Sequence, residues 1–78
     1  MNAYPNPVED ILHLRLAYVG HTKLMIVNTA GQVIYKQSFE ASATSQTLDL
    51  QVSDWPAGVY RAVLESDQAR TYQSIVKK

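Results

Sequence analysis

The residues that could support acid–base or nucleophilic chemistry in this chain are few and scattered. The candidate bases are His13, on the polar side of an alternating stretch, and His21, in a predicted turn. The neighbouring carboxylates Glu9 and Asp10 point to opposite sides of an extended chain. Hydrolysis needs a nucleophile, a base and an orienting group, or two facing carboxylates, in one cleft. We therefore predict that the chain is not an enzyme and has no catalytic residue.

Metal and cofactor sites have equally little support. The chain contains no cysteine, so it has neither a disulfide framework nor a thiolate zinc site. Asp10, Asn28 and Asp54 could form a loop calcium site, but all three are also typical turn residues. The glycines are isolated from one another, so no glycine-rich phosphate loop is present. No cofactor and no metal site is predicted.

The charge pattern argues against a nucleic-acid partner. Seven Lys plus Arg balance seven Asp plus Glu, and the two signs are interspersed along the chain. Nucleic-acid binding normally requires clustered basic residues, because released counterions supply much of the affinity. The longest largely apolar run, Leu24–Val27, is far shorter than the roughly 20 residues of a membrane-spanning helix. We predict no nucleic-acid partner and no membrane-spanning helix.

The aromatic residues leave one binding function open. Tyr35, Tyr60 and Tyr72 share predicted strand faces with apolar residues, so we assign them to the core. Tyr18 and Trp55 lie at a strand end and in a loop, where exposed rings could stack on sugars. An adhesive or carbohydrate-binding module is therefore the alternative function.

The elements that must position these residues are predicted to be strands. Apolar and polar residues alternate with a period of two from end to end, which is typical of strands with one buried face. The predicted strands are Ile11–Tyr18, Lys23–Asn28, Val33–Phe39, Thr47–Val52, Val59–Glu65 and Arg70–Lys77. Turns are predicted at 20–22, 29–32, 53–58 and 66–69, and a loop at 41–45. The pattern therefore predicts an all-β fold, a small antiparallel immunoglobulin-like β-sandwich of six or seven short strands.

The same alternation predicts which side chains face the core. The inward residues are predicted to be Leu12, Leu14, Leu16, Leu24, Ile26, Val33, Tyr35, Phe39, Leu48, Leu50, Val52, Tyr60, Ala62 and Leu64. In the last strand Tyr72 and Val76 share one face and Ile75 lies on the other. We assign the Tyr72 and Val76 face to the core.

Tyr60 begins a strand directly after the turn that contains Pro56 and Gly58. This position is similar to the tyrosine corner of Greek-key sandwiches, in which the hydroxyl donates to the backbone a few residues upstream. An ordinary core tyrosine would give the same pattern, so both interpretations stay open.

The two ends of the chain contain features that folding alone does not require. Tyr4-Pro5-Asn6-Pro7 restricts the backbone and predicts a stiff entry segment over residues 1–7, ahead of a β-sandwich over 8–78, in a single domain. At the other end, Ile75-Val76-Lys77-Lys78 places a strand end and two ammonium groups together, where a partner could bind them. The alternative is that the two lysines only keep the end solvated. Because exposed charges add little stability, deleting both lysines is expected to leave folding nearly intact.

Taken together, these features resemble the C-terminal sorting domains of the type IX (Por) secretion system of Gram-negative bacteria. The similar residues are Tyr4-Pro5-Asn6-Pro7 with Asp10 and Leu12, then Leu24, Ile26 and 28–33, then Leu48-Asp49-Leu50, then Pro56-Ala57-Gly58-Val59-Tyr60, and finally Ile75-Val76-Lys77-Lys78. Their order and spacing cover nearly the whole chain.

The resemblance implies a secretion signal fused behind a cargo protein, which enters the periplasm and is then directed through the outer-membrane translocon to the cell surface or the medium. It also implies a sortase-like cysteine protease that cleaves ahead of the domain. The recognition residues that it implies are Gly31, Pro56, Ala57, Gly58, Val59, Tyr60, Ile75, Val76, Lys77 and Lys78, with Tyr4, Pro5, Asn6 and Pro7 as a domain-entry motif. A weak homodimer through pairing of exposed edge strands is a further prediction.

Overall fold

The chain folds into five strands, two of which are long. The computed structural model describes residues 1–67 and 69–78, and within them every side chain except those of residues 18–19 and 41–46. The strands are β1 (Asn2–Tyr4), β2 (Ile11–Asn28), β3 (Val33–Gln51), β4 (Gly58–Ser66) and β5 (Arg70–Lys77). All neighbouring strands pair antiparallel.

Two packed sheets share the long strands, so the fold is the predicted all-β sandwich. Residues 13–15 of β2 pair with β1 on one side, and residues 11–15 pair with 47–51 of β3 on the other, which makes a three-stranded sheet. Residues 22–27 of β2 pair with β4 and with the beginning of β3, and β5 completes a four-stranded sheet. Counted by sheet, the molecule has seven antiparallel strands arranged as three plus four.

The turn predicted at 20–22 is wrong, because β2 runs through it as one strand. Gly20 has a φ of +78° and lies at a shift in the β2–β3 register. A bulge of this kind bends a strand and increases its twist without ending it. The bend lets β2 pass from one sheet to the other. The loop predicted at 41–45 falls inside the bounds of β3, on positions outside the described side chains.

The other predicted turns are confirmed where the structure describes them. Gly31 N donates to Asn28 O over 3.0 Å, and Ser66 N donates to Ala69 O over 2.8 Å. Trp55 N donates to Val52 O over 2.9 Å and closes the turn after β3. The short connections explain the pairing of β1 with β2, of β2 with β3 and of β4 with β5, whereas the turn after β3 carries the chain to β4, which pairs with β2.

The core lies between the two sheets and is almost entirely aliphatic. Its fully buried large side chains are Val8, Leu12, Leu14, Leu16, Leu24, Ile26, Val52 and Ile75. Phe39, Leu50, Tyr60, Ala62 and Leu64 complete the buried cluster, with Tyr35, Leu48 and Trp55 packed partly against it. The predicted alternation in β2 and β4 is therefore confirmed.

Three side chains assigned to the core are instead exposed. The core face of β5 carries Ile75, whereas Tyr72 and Val76 point outward and are 53% and 39% exposed. Val33 begins β3 at the sheet edge and is 51% exposed. Because β5 has apolar residues on both faces, its alternation fixes which residues share a face but not which face is buried. Among the described residues, the structure has no helix long and apolar enough to cross a membrane.

Candidate recognition site

The turn between β2 and β3 is organised by one side chain. The Oδ1 atom of Asn28 accepts hydrogen bonds from the backbone N–H groups of Ala30 and Gln32, each over 3.0 Å. Its Nδ2 atom donates to Oε1 of Gln32, also over 3.0 Å. Asparagine is favoured in turns because its side chain can replace a backbone partner in this way. The turn therefore presents Gly31 in a fixed position.

Glycine is required at positions 31 and 58 because of the backbone conformation there. Their φ angles are +82° and +153°, a range that side chains on L-residues disfavour. A Cβ atom added at either position would meet no heavy atom within 4 Å. The requirement is therefore conformational, and space around these two positions stays open on the molecular surface.

Tyr60 forms a tyrosine corner, which is one of the two interpretations that the sequence allowed. Its hydroxyl donates to the backbone oxygen of Pro56 over 2.5 Å, while its ring is buried and packs at 5.2 Å from the ring of Trp55. The hydrogen bond fixes the 56–60 segment to the start of β4. Trp55 is half-buried in this contact and is not the fully exposed ring that sugar stacking would need. Tyr18, the second ring of that alternative, lies outside the described side chains.

Strand β5 is covered on part of its free edge by the entry motif. Asn6 donates from Nδ2 to the backbone oxygen of Ser74 over 3.1 Å and accepts at Oδ1 from Val76 N over 2.9 Å. Val8 continues the pairing, because its N–H donates to Val76 O over 2.8 Å and its C=O accepts from Lys78 N over 2.9 Å. Proline has no N–H, so between Pro5 and Pro7 the Asn6 amide replaces a backbone partner. We call residues 6–8 the edge clamp.

The first strand lies within the stretch predicted as an entry segment. Tyr4 pairs with His13 in the three-stranded sheet, so Asn2–Tyr4 already belongs to the sandwich. The chain then crosses to the other sheet through Pro5 and reaches β5 at Asn6. The predicted division into an entry segment over residues 1–7 and a β-sandwich over 8–78 stays a prediction.

The residues singled out by the family resemblance meet at one end of the four-stranded sheet. Asn28, Tyr60 and Ile75 are paired in a single row across β2, β4 and β5. Val59 pairs with Val76 in the next row. Gly58 pairs with Lys77, which also forms a parallel bridge with Val8. We call this end, residues 28–31, 56–60 and 75–78 with the edge clamp, the motif end.

A shallow open groove of about 380 Å³ lies at the motif end. Its walls include Val27 and Val59, the turn at Gly31, and Arg61 and Ser74 farther along the sheet. Within the groove, the described residues offer mostly apolar surface and one cationic side chain. Such a surface can bind another polypeptide but has no group arranged to cleave one.

Lys77 and Lys78 have different environments, contrary to the expectation that both are exposed. Lys77 points to the core side of β5 and is only 8% exposed, and its Nζ donates to the backbone oxygen of Lys78 over 2.8 Å. The Lys78 side chain is 61% exposed, with its Nζ 3.4 Å from Oε1 of Glu9. The exposure on which the deletion prediction depends is therefore absent at Lys77, which also pairs with Gly58, and the effect of the deletion on folding stays a prediction.

The histidines lie away from the motif end and form two simple pairs. His13 Nδ1 is 2.7 Å from Oδ1 of Asp49, and His21 Nδ1 is 3.2 Å from Oε1 of Glu40. Each pair joins directly opposite positions of β2 and β3. Within the described part of the chain, no cluster of three or more His, Asp or Glu side chains could hold a metal ion.

Sequence reasoning names Asn6 in the domain-entry motif but does not predict its contacts. Its hydrogen bonds to β5 connect positions 68 and 70 residues apart, which no local pattern can indicate. Sequence reasoning assigns no role to Arg61, whose guanidinium lies 5.8 Å from the centre of the Tyr72 ring. The sequence indicates this position only by placing Arg61 between Val59 and Val63 on the outward face of β4.

The fold and site define a class: a small β-sandwich with an open, largely apolar groove at one end of its four-stranded sheet. Residues 2–78 match the family described as the secretion system C-terminal sorting domain, and the chain belongs to that family. No curated protein and no solved structure matches the chain.

Membership confirms the resemblance and the function it implied. The chain is a sorting domain of the type IX secretion system, a non-catalytic family that acts as a secretion signal for an attached cargo protein. Such a domain is fused to cargo and interacts with the secretion machinery. Its cargo is secreted or displayed at the surface of Gram-negative bacteria.

Proposed function

We propose that the motif end is the surface by which the outer-membrane translocon recognises this sorting domain. One observation supports the proposal most strongly: residues from four separate segments of the sequence meet in adjacent rows at this end of the sheet. The fold needs Tyr60 and Ile75 in the core, but it gives no reason for the exposed Val59 and Val76. Exposed apolar residues beside a groove are typical of binding surfaces.

The route of the attached cargo follows from the same proposal. The cargo and the domain enter the periplasm together, the translocon binds the motif end, and both cross the outer membrane. A sortase-like cysteine protease then cleaves the polypeptide ahead of the domain, and the cargo is released from the surface or attached to it. The edge clamp supports this order, since it keeps the terminal strand folded against the domain while the cargo is attached.

A fusion experiment tests the proposal. Residues 1–78 are placed behind a periplasmic reporter in a cell with a working type IX system, and reporter in the medium and at the surface is measured. Val59→Ser removes an apolar side chain that is 51% exposed at the motif end. The matched control is Ile11→Ser, which removes one that is 42% exposed on the three-stranded sheet.

We expect the unaltered domain and Ile11→Ser to export the reporter, and Val59→Ser to lower export several-fold while the fold persists. Circular dichroism of the purified domains checks the fold. Retention of the unaltered fusion in the periplasm would contradict the sorting function for this chain. Equal export by both variants would instead place recognition outside the motif end.

We also propose the predicted weak homodimer, in which exposed edge strands of two copies pair. The edge clamp already pairs with β5 from Ser74 to Lys78, whereas the described backbone pairing of residues 33–38 of β3 is with β2. A second copy would therefore add to β3. Among the described residues, no contact favours the carbohydrate-binding alternative.

A further inference from the structure

The outer face of the four-stranded sheet has an apolar patch beside the motif end. Because inward and outward side chains alternate along a strand, the residues between the buried ones of β2, β4 and β5 share this face. They are Met25, Val27, Val59, Arg61, Val63, Tyr72, Ser74 and Val76, and we call them the outer patch. Val59, Tyr72 and Val76 are exposed, while Val63 at the centre is only 8% exposed.

Neighbouring side chains cover Val63 on a face that is open to solvent. Met25 and Tyr72 lie directly opposite it on the flanking strands. Arg61 is the next outward residue along β4, and its guanidinium lies 5.8 Å from the centroid of the Tyr72 ring. A guanidinium over an aromatic ring is held in place by cation–π attraction and by its planar shape. The patch therefore has a positioned cation in an apolar setting.

The charge of Arg61 is not balanced within the described part of the molecule. None of the ion pairs formed by described residues includes it, and none of the outer-patch residues is acidic. Glu65, the next outward residue after Val63, is already paired with Arg70. The other surface cation near the motif end, Lys78, is paired with Glu9 at 3.4 Å. Arg61 is thus available to a carboxylate brought by a partner.

We infer that the outer patch binds an extended segment of a partner protein that presents a carboxylate between two apolar side chains. The carboxylate pairs with Arg61, and the flanking apolar side chains cover Val59 and Val76 at one end and Tyr72 at the other. An extended segment fits because its alternate side chains point to one side, as those of the strand beneath do. The inference deepens the proposed function, since it rests on the motif end being the surface that the secretion machinery binds.

A direct binding experiment uses peptides of defined chemistry. The ¹⁵N-labelled 78-residue chain is titrated with the capped peptide Val-Thr-Glu-Thr-Val, whose first, third and fifth side chains share one face. Two matched peptides have Gln or Lys in place of Glu. We expect amide shifts at Val59, Arg61 and Ser74, with the Glu peptide binding up to about fivefold more tightly than the Gln peptide, the upper range for an exposed ion pair.

Substitution of Arg61 tests the assignment of the cation. Arg61→Gln is expected to make the Glu and Gln peptides bind equally, whereas Arg61→Lys keeps part of the preference. Arg15→Gln, which removes an exposed cation on the other sheet, is the control and should change neither. Thermal denaturation checks that each variant is folded.

Three outcomes would overturn the inference. They are equal shifts from the Glu, Gln and Lys peptides, shifts that map to the three-stranded sheet, and a Glu preference that survives Arg61→Gln. Binding of the chain to phosphatidylglycerol vesicles with the same dependence on Arg61 would also overturn it, because it would identify a lipid surface as the partner.

The export assay separates this inference from the proposed function. We expect Arg61→Glu to reduce reporter export several-fold and Arg15→Glu to leave it unchanged. If the unaltered fusion fails to export, the proposed function fails while the peptide titration still reports on the outer patch. If the unaltered fusion and Arg61→Glu export equally, the inference fails and the sorting function stands.

Discussion

At the scale of single residues, two tyrosines of this chain show how burial depends on a partner for the hydroxyl. The Tyr60 ring is buried, and its hydroxyl donates to Pro56 O over 2.5 Å. Burying a hydroxyl without a hydrogen bond is costly, so the position suits tyrosine only because this acceptor is present. Tyr72 points outward and is 53% exposed, and its hydroxyl accepts a long, exposed hydrogen bond from Arg70 Nη1 over 3.4 Å.

We expect Tyr60→Phe to lower the free energy of unfolding by about 1 kcal/mol, because it removes one intramolecular hydrogen bond and leaves the Pro56 oxygen unpaired. The matched control, Tyr72→Phe, should change it by less than about 0.5 kcal/mol, as is usual for exposed substitutions. Chemical denaturation followed by Trp55 fluorescence measures both. A larger loss from Tyr72→Phe than from Tyr60→Phe would contradict the assignment of the tyrosine corner.

Residue-level sequence reasoning succeeded where one face of a strand was polar. Leu12, Leu14 and Leu16 alternate with polar side chains, and all three are fully buried. The prediction failed in β5, where Tyr72 and Val76 lie on the opposite face of the strand from Ile75. The outward face of this strand is apolar because it belongs to the outer patch. Alternation cannot decide between two apolar faces. The two residues wrongly assigned to the core lie on the surface for which we propose binding.

At the scale of elements, the terminal strand depends on a segment from the other end of the sequence. The edge clamp supplies hydrogen bonds to Ser74, Val76 and Lys78, two of them from the Asn6 side chain. These bonds satisfy backbone groups that an edge strand otherwise exposes to other chains. The two sequence motifs are therefore one structural unit.

We expect Asn6→Ala to destabilise the domain by about 1–2 kcal/mol, because two hydrogen bonds to the backbone of β5 are lost together. The control is Asn2→Ala, which alters an exposed asparagine of β1. Hydrogen exchange should show the loss locally, with faster exchange of the Val76 amide. Unchanged exchange at Val76 in the folded Asn6→Ala variant would show that the edge clamp does not protect the strand.

Element boundaries were harder to predict than element faces. Glycine at position 20 suggested a turn, and its φ of +78° is indeed one that turns use. The same backbone angle also occurs at bulges, and here it bends β2 between two sheets. A local pattern does not distinguish these outcomes, because the difference lies in whether the flanking residues continue to pair with β3.

At the scale of the whole molecule, the two edges of the four-stranded sheet, β5 and β3, differ in how they are covered. The β5 edge is closed over Ser74–Lys78 by the edge clamp, whereas the described backbone pairing of β3 over residues 33–38 is with β2. The formal net charge is zero at pH 7, so two copies do not repel each other strongly. An unguarded edge on a neutral molecule favours association with a second copy.

The β3 edge also has charges suited to such pairing. In an antiparallel dimer with its two-fold axis at Ser38, Lys36 of each copy lies opposite Glu40 of the other, on one face of the combined sheet. Opposite charges in directly opposed positions stabilise strand pairs by a few tenths of a kcal/mol to about 1 kcal/mol. The paired segment is short, so the dimer should be weak.

We expect the chain to dimerise with a Kd of about 1 mM, because so short an interface lies well below the size of stable complexes. Translational diffusion measured by NMR as a function of concentration detects this association. Lys36→Glu should weaken it at least about fivefold, since it places two carboxylates opposite each other twice, and the exchanged pair K36E/E40K should restore it. Diffusion of the unaltered chain that is independent of concentration, or a swap that rescues nothing, would show that the β3 edge does not pair in this register.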